Sequence, residues 1–137
     1  MTTEYRKPLP IPTPDTQAFW DGLKQREVRL RQCNDCSRFH HHPRSLCPYC
    51  ASTNLGWKTV SGRGKLYTFT VNYRPPRGWD QDDAPVVAIV QLEEGIKLHT
   101  ELVNVSGDPT QLKIGTPVEP VFDAVTAEVT LLKYRLA

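Results

Sequence analysis

The sequence predicts a mainly β protein: a short N-terminal helix, a metal-bound cysteine hairpin and a small closed barrel of five strands. Three observations lead there. The four cysteines stand as two Cys-x2-Cys pairs, Cys33/Cys36 and Cys47/Cys50. From Trp57 onward, apolar and β-branched residues fall into short period-two runs, divided by turns that carry glycine. No helical run separates those strands, which favours a closed barrel over a parallel sheet. The 137 residues suffice for one compact domain or two small linked units.

The chain divides into four parts. Residues 1–14 are proline-rich and are expected to form an extended arm, either a tail or a segment laid on a partner. Residues 15–32 hold a helix and a lead-in strand. Thr13-Pro14-Asp15 suits a helix start, with Thr13 or Asp15 as N-cap. Phe19 and Leu23 are four apart with Trp20 beside Phe19, so residues 15–25 read as an amphipathic helix that Gly22 weakens. Val28 and Leu30 alternate with Arg29 and Arg31 as a short strand running into Cys33.

Residues 33–60 are the metal ribbon. A two-residue gap lets both thiolates of one turn face one ion, and two such turns supply four tetrahedral ligands. Ten residues between the pairs are enough to return the chain as a hairpin. Nothing suggests export, so a metal is preferred to two disulfides. Zinc is favoured, although the same four thiolates hold iron as well. A site closed by Cys33, Cys36, Cys47 and Cys50 has no open position, so its metal is expected to be structural.

Residues 61–137 form the barrel. Lys65–Tyr73 alternates, with Leu66, Thr68 and Thr70 on one face and Tyr67, Phe69 and Val71 on the other. Val86–Leu92 is almost continuously apolar and reads as a central strand. Ile96–Val105, Pro117–Phe122 and Val125–Tyr134 complete the set. The connection Arg74–Pro85 is long for a hairpin loop, the kind that commonly binds something.

Net charge is +2 and unevenly spread: +5 over residues 1–64, −3 over residues 65–137. No apolar run approaches the roughly 20 residues that cross a bilayer. The N-terminus lacks a signal-peptide core. A soluble cytoplasmic protein is expected. No nucleophile motif, carboxylate pair or phosphate loop is visible. His40-His41-His42 reads as solvated residues on the ribbon hairpin, His99 as a structural residue, and Asp80, Asp82 and Asp83 as a solvated acidic loop. Ser61-Gly62-Arg63-Gly64 reads as a ribbon–barrel turn, or as an anion cradle made by backbone amides and Arg63.

Several of these residues together carry a resemblance. Phe19-Trp20 on a helix, the two cysteine pairs with Pro43-Arg44 and Pro48 between and within them, Trp57, Ser61-Gly62-Arg63-Gly64, Tyr67-Thr68-Phe69-Thr70 and Lys113-Ile114-Gly115 stand in this order. In this the chain resembles the acyl-CoA-associated zinc-ribbon/OB-fold proteins, over residues 15 to about 135. Ser37 departs from the family's frequent glycine after the second cysteine. The resemblance implies a rubredoxin-like zinc ribbon followed by a five-stranded OB-fold barrel. It also implies a non-catalytic subunit beside a thiolase-like enzyme: a lipid-transfer-protein-type aldolase, ketoacyl synthase or acyltransferase, with some members accompanying hydratases. Such a subunit binds the CoA part of a thioester, completes the partner's tunnel or holds the complex together.

Phosphate chemistry then suggests which residues would meet CoA. Arginine pairs with phosphate through two parallel hydrogen bonds. Arg63 and Lys65 at the junction, and Arg74 and Arg77 in the long loop, are the candidates, with Trp79 available to stack on adenine or pack on a partner. A nucleic-acid-binding ribbon/OB module is the alternative, disfavoured by the net negative barrel half. A stand-alone thioesterase-like enzyme, lacking a visible nucleophile or base, ranks last.

Overall fold

A computed structural model describes residues 7–75, 85–105 and 108–137. The chain enters helix α1, Gln17–Lys24, two residues later than the apolar spacing suggests. Thr16 is its N-cap, not Thr13 or Asp15. It makes no side-chain cap bond to the helix, because its hydroxyl instead accepts the Thr13 N–H at 2.9 Å. Phe19 and Leu23 are buried as their spacing predicts. Gly22 is forced by packing: a Cβ there would lie 2.7 Å from the Arg29 side chain. That arginine crosses the helix to reach Glu27 Oε1 at 3.0 Å and the Ala18 carbonyl at 3.3 Å.

Strand β1, Val28–Cys33, is the centre of a three-stranded antiparallel sheet. Its neighbours are the two-residue β2, Phe39–His40, and β3, Leu55–Val60. Strand β3 runs through the Ser-Gly-Arg-Gly turn into β4, Gly64–Val71. The barrel continues with β5, Val86–Leu92, and β6, Lys97–Leu102. A single 3₁₀ turn at Pro109–Gln111 then carries Leu112 into the core. Strands β7, Pro117–Ala124, and β8, Thr130–Leu136, follow. The barrel is closed in the order β4-β5-β6-β8-β7, an OB-fold arrangement in which β8 slots between β6 and β7. Strands β6 and β8 run parallel; the other pairings are antiparallel.

Two departures from simple alternation have local causes. The register of β4 on β5 shifts at Tyr67, from Leu66 opposite Val90 to Thr68 opposite Ile89. An extra residue flips all later side chains. Leu66 therefore points inward before the bulge, Phe69 and Val71 pack on the core after it, and Tyr67 is left 46% exposed. Strand β5 is not buried on both faces either. Val86, Ala88, Val90 and Leu92 face in, while Val87 is 41% exposed, because a closed barrel hides only its inner surface. Strand β8 begins five residues later than the apolar pattern predicts, since Val125 and Thr126 turn back onto the Val129 carbonyl.

Ribbon and barrel share one core. Leu30 of β1 belongs to the same buried cluster as Leu66, Val90 and Tyr134, and Phe39 and Val60 pack against it. Among the described residues no helix is long and apolar enough to cross a membrane.

Candidate metal centre and ribbon–barrel junction

The two cysteine pairs form matched knuckles. The Ser37 N–H donates to the Cys33 carbonyl and the Ala51 N–H to the Cys47 carbonyl, each at 2.9 Å. Both closing residues are left-handed, with φ 67° at Ser37 and 62° at Ala51. The Cys36 N–H points at Cys33 Sγ and the Tyr49 N–H at Cys47 Sγ, each at 3.4 Å. Such bonds favour thiolate over thiol. The knuckles are tied across to one another. The Asn34 N–H donates to the Asn54 carbonyl at 2.9 Å, and Asp35 accepts from Ser52 and Asn54.

The four sulfurs all lie within 4.8 Å of one another and none is disulfide-bonded. Cys33–Cys50 and Cys36–Cys47 are 3.5 and 3.6 Å apart. A tetrahedral ion with bonds of about 2.3 Å to sulfur separates its ligands by about 3.8 Å, so the set has the size for zinc. Its electrostatics also call for a cation. The Cys36 N–H, working against burial, holds the Cys33 thiol down at about 7. At Cys50 the Ser52 N–H pulls downward, but the neighbouring Cys33 sulfur, burial and the other thiols push it up to about 12. Four thiolates side by side need a metal to be charged together.

The Ser-Gly-Arg-Gly turn is a fastening. The Arg63 N–H donates to Ser61 Oγ at 3.1 Å, and that hydroxyl donates to Glu93 Oε1 at 2.9 Å. Gly62 has φ 77°, and its carbonyl accepts the buried Tyr134 hydroxyl at 2.7 Å. A Cβ on Gly64 would sit 2.2 Å from the Gln91 carbonyl oxygen. The Arg63 amide is thus already engaged, which removes it from an anion cradle.

Arg63 and Lys65 do come together, in a groove of ≈ 690 Å³ that also holds Glu93 and Glu119. Arg74 lies beyond the opposite end of β4 and does not line that groove. Arg77, Trp79, Asp80, Asp82 and Asp83 lie outside the described residues.

Of the histidine run, His42 is exposed as the sequence suggests, but His40 and His41 are not. His40 is only 3% exposed, and both its ring nitrogens lack a partner among the described residues. His41 packs against Phe19, the ring centroids 5.4 Å apart and the planes tilted by 52°. With His42, His99 and Trp20 it lines a cleft of ≈ 280 Å³ between α1, ribbon and barrel. Burial, then the charges of His42, His40 and His99, lower the His41 pKa to about 4. Sequence gave no hint of this meeting, because His41 and His99 are brought together only by barrel closure.

Comparison with known proteins agrees with this architecture. Residues 20–56 match the family model described as ChsH2, rubredoxin-like zinc ribbon domain, and residues 57–123 the one described as ChsH2, C-terminal OB-fold domain. A probable enoyl-CoA hydratase alpha subunit of Thermomonospora curvata is 34% identical over 134 residues, covering 96% of this chain. The chain spans only 40% of that relative's length. A DUF35 domain-containing scaffold protein of Methanocaldococcus jannaschii is 31% identical over 75% of this chain and 73% of its own. A solved chain of an Ltp2-ChsH2(DUF35) aldolase superimposes with a TM-score of 0.84 at 30% identity, covering 93% of this chain and 98% of that one.

Proposed function

The chain belongs to the ChsH2 zinc-ribbon and OB-fold family, and we propose that it is a non-catalytic subunit that docks on a thiolase-like enzyme and helps it hold an acyl-CoA. The observation that carries this reading is the likeness, over nearly the whole fold, to a chain solved within an Ltp2–ChsH2 aldolase. The hydratase-subunit and scaffold names of the relatives point the same way.

The division of labour follows from the sites. Cys33, Cys36, Cys47 and Cys50 would hold the metal, zinc in preference to iron. When bound, it supplies a four-way cross-link and offers no position to a substrate. Thiolate ligands suit a reducing compartment, the cytoplasm. Arg63, Lys65 and Arg74 are the described cations assigned to CoA phosphates, with Arg77 and Trp79 in the long loop beside Arg74.

Co-expression with thiolase-like enzymes from the same source tests the reading. A stable hetero-oligomer on size exclusion, with acyl-CoA turnover needing both chains, is expected. A lone monomer that leaves the enzyme's rate unchanged would refute it.

A further inference from the structure

We propose that the seam between the second cysteine knuckle and the β5–β6 turn binds a phosphoryl group of a nucleotide ligand, gripped by Arg44 of the ribbon and Lys97 of the barrel. The acyl-CoA reading supplies only the ligand's identity; the site rests on its own charge and shape. The seam is a cavity of ≈ 320 Å³ bordered by His40, Arg44, Tyr49 and Lys97, and no carboxylate lines it.

Its cations are unspent. Ion pairs engage Arg29, Lys133 and Arg135, none of them in this seam. Among the described residues, neither Arg44 nor Lys97, nor the nearby Arg38, has a carboxylate partner. Of the two acids of the β5–β6 turn, Glu93 accepts from Ser61 and neither lines the seam; one oxygen of Glu94 is buried without a hydrogen-bond partner among the described residues. Two half-exposed rings steady the cations. Arg38 lies 4.8 Å over Tyr49 and Lys97 lies 4.0 Å over Tyr67. Buried His40 marks the sign of the local field. After burial, the charges of Arg31 and Arg44 hold its pKa below the ordinary value. By contrast, Arg63 and Lys65 share their groove with two glutamates.

A dianion with several oxygens answers two cations presented from separate elements. A bounded seam beside a barrel half of net charge −3 suits one nucleotide better than a long polyanion. The competing account is that these cations balance the metal centre, since four thiolates around a divalent ion carry a net negative charge. Arg38, beside the knuckle, fits that role; Lys97, on the barrel, does not follow from it.

Titration calorimetry of the zinc-loaded full chain with CoA, ADP and a single-stranded oligonucleotide separates these outcomes. Arg44→Gln with Lys97→Gln is expected to weaken CoA and ADP binding about tenfold or more, with zinc content and melting temperature unchanged. Unchanged binding with lowered zinc content assigns the cations to the metal and overturns the proposal. So does absence of binding to either nucleotide, or a clear preference for the oligonucleotide. CoA binding that ignores the double variant sinks the seam but spares the accessory-subunit reading. Lys97-dependent ADP binding in a chain that assists no thiolase-like enzyme does the reverse.

Discussion

At the scale of single residues, the two knuckles carry strain that glycine would relieve. Ser37 and Ala51 close equivalent turns in the left-handed region, which disfavours a Cβ. Ser37→Gly and Ala51→Gly should each stabilise the metal-loaded protein by about 0.5–1 kcal/mol, net of glycine's entropy cost. Chemical denaturation measures this, and a loss would mean the side chains hold the turn. Tyr134→Phe should cost about 1–3 kcal/mol, because the buried Gly62 carbonyl then has no donor. His41 makes stability depend on pH. Its folded pKa of about 4 lies below the ordinary 6.5, so the unfolded chain takes the proton first. Stability is full above pH 6.5 and falls as pH drops towards 4, by roughly 3 kcal/mol in all. Between pH 5 and 7, His41→Gln should flatten the slope of denaturation free energy against pH; an unaltered slope would clear His41 of the effect.

At the scale of elements, the bulge in β4 decides which side chains form the core. Deleting Tyr67 removes the extra residue, so Thr68 to Val71 keep their partners on β5 and Phe69 and Val71 stay inward; a cooperative melting transition is expected to survive, and its loss would show that the bend at the bulge is needed to close the barrel. Gly64→Ala should be damaging instead, with loss of that transition as the expected result, since its Cβ meets backbone rather than a movable side chain. The existence of each barrel strand was legible in period-two runs and glycine turns. The bulge was not, because Leu66–Val71 reads as an unbroken alternation and only the pairing with β5 reveals the extra residue. Strand β5 looked two-sided for a related reason: Val87 and Ile89 are as apolar as their inward neighbours. Strand β2 escaped notice because two residues, one of them His40, carry no period.

At the scale of the molecule, the metal should hold more than the ribbon. Leu30, Phe39 and Val60 pack into the barrel's core, so the two parts cannot melt separately without exposing that face. Chelation, or Cys33→Ser, is expected to lower the melting temperature of the whole chain in one transition, followed by near-UV circular dichroism. Two resolved transitions would show that the barrel stands alone. The metal centre was visible in the sequence because ligand chemistry fixes both residue type and spacing. The seam and the histidine cleft were not, because Arg44 and Lys97, or His41 and His99, lie more than fifty residues apart and meet only through the fold. The glycines of the junction were visible as a motif. Their work, admitting a tyrosine hydroxyl and a neighbouring carbonyl, needed coordinates.

The place of β8 has a consequence in time. It lies between β6 and β7 and brings Tyr134 to the junction that closes the ribbon, yet a ribosome adds it after the other four strands of the barrel. All four thiolate donors are added eighty or more residues earlier. During synthesis a metal can therefore be captured well before the barrel can shut. The half-made chain would be a clipped ribbon trailing unpaired strands, so the interval before Thr130–Leu136 appears is when the nascent protein is most open to aggregation.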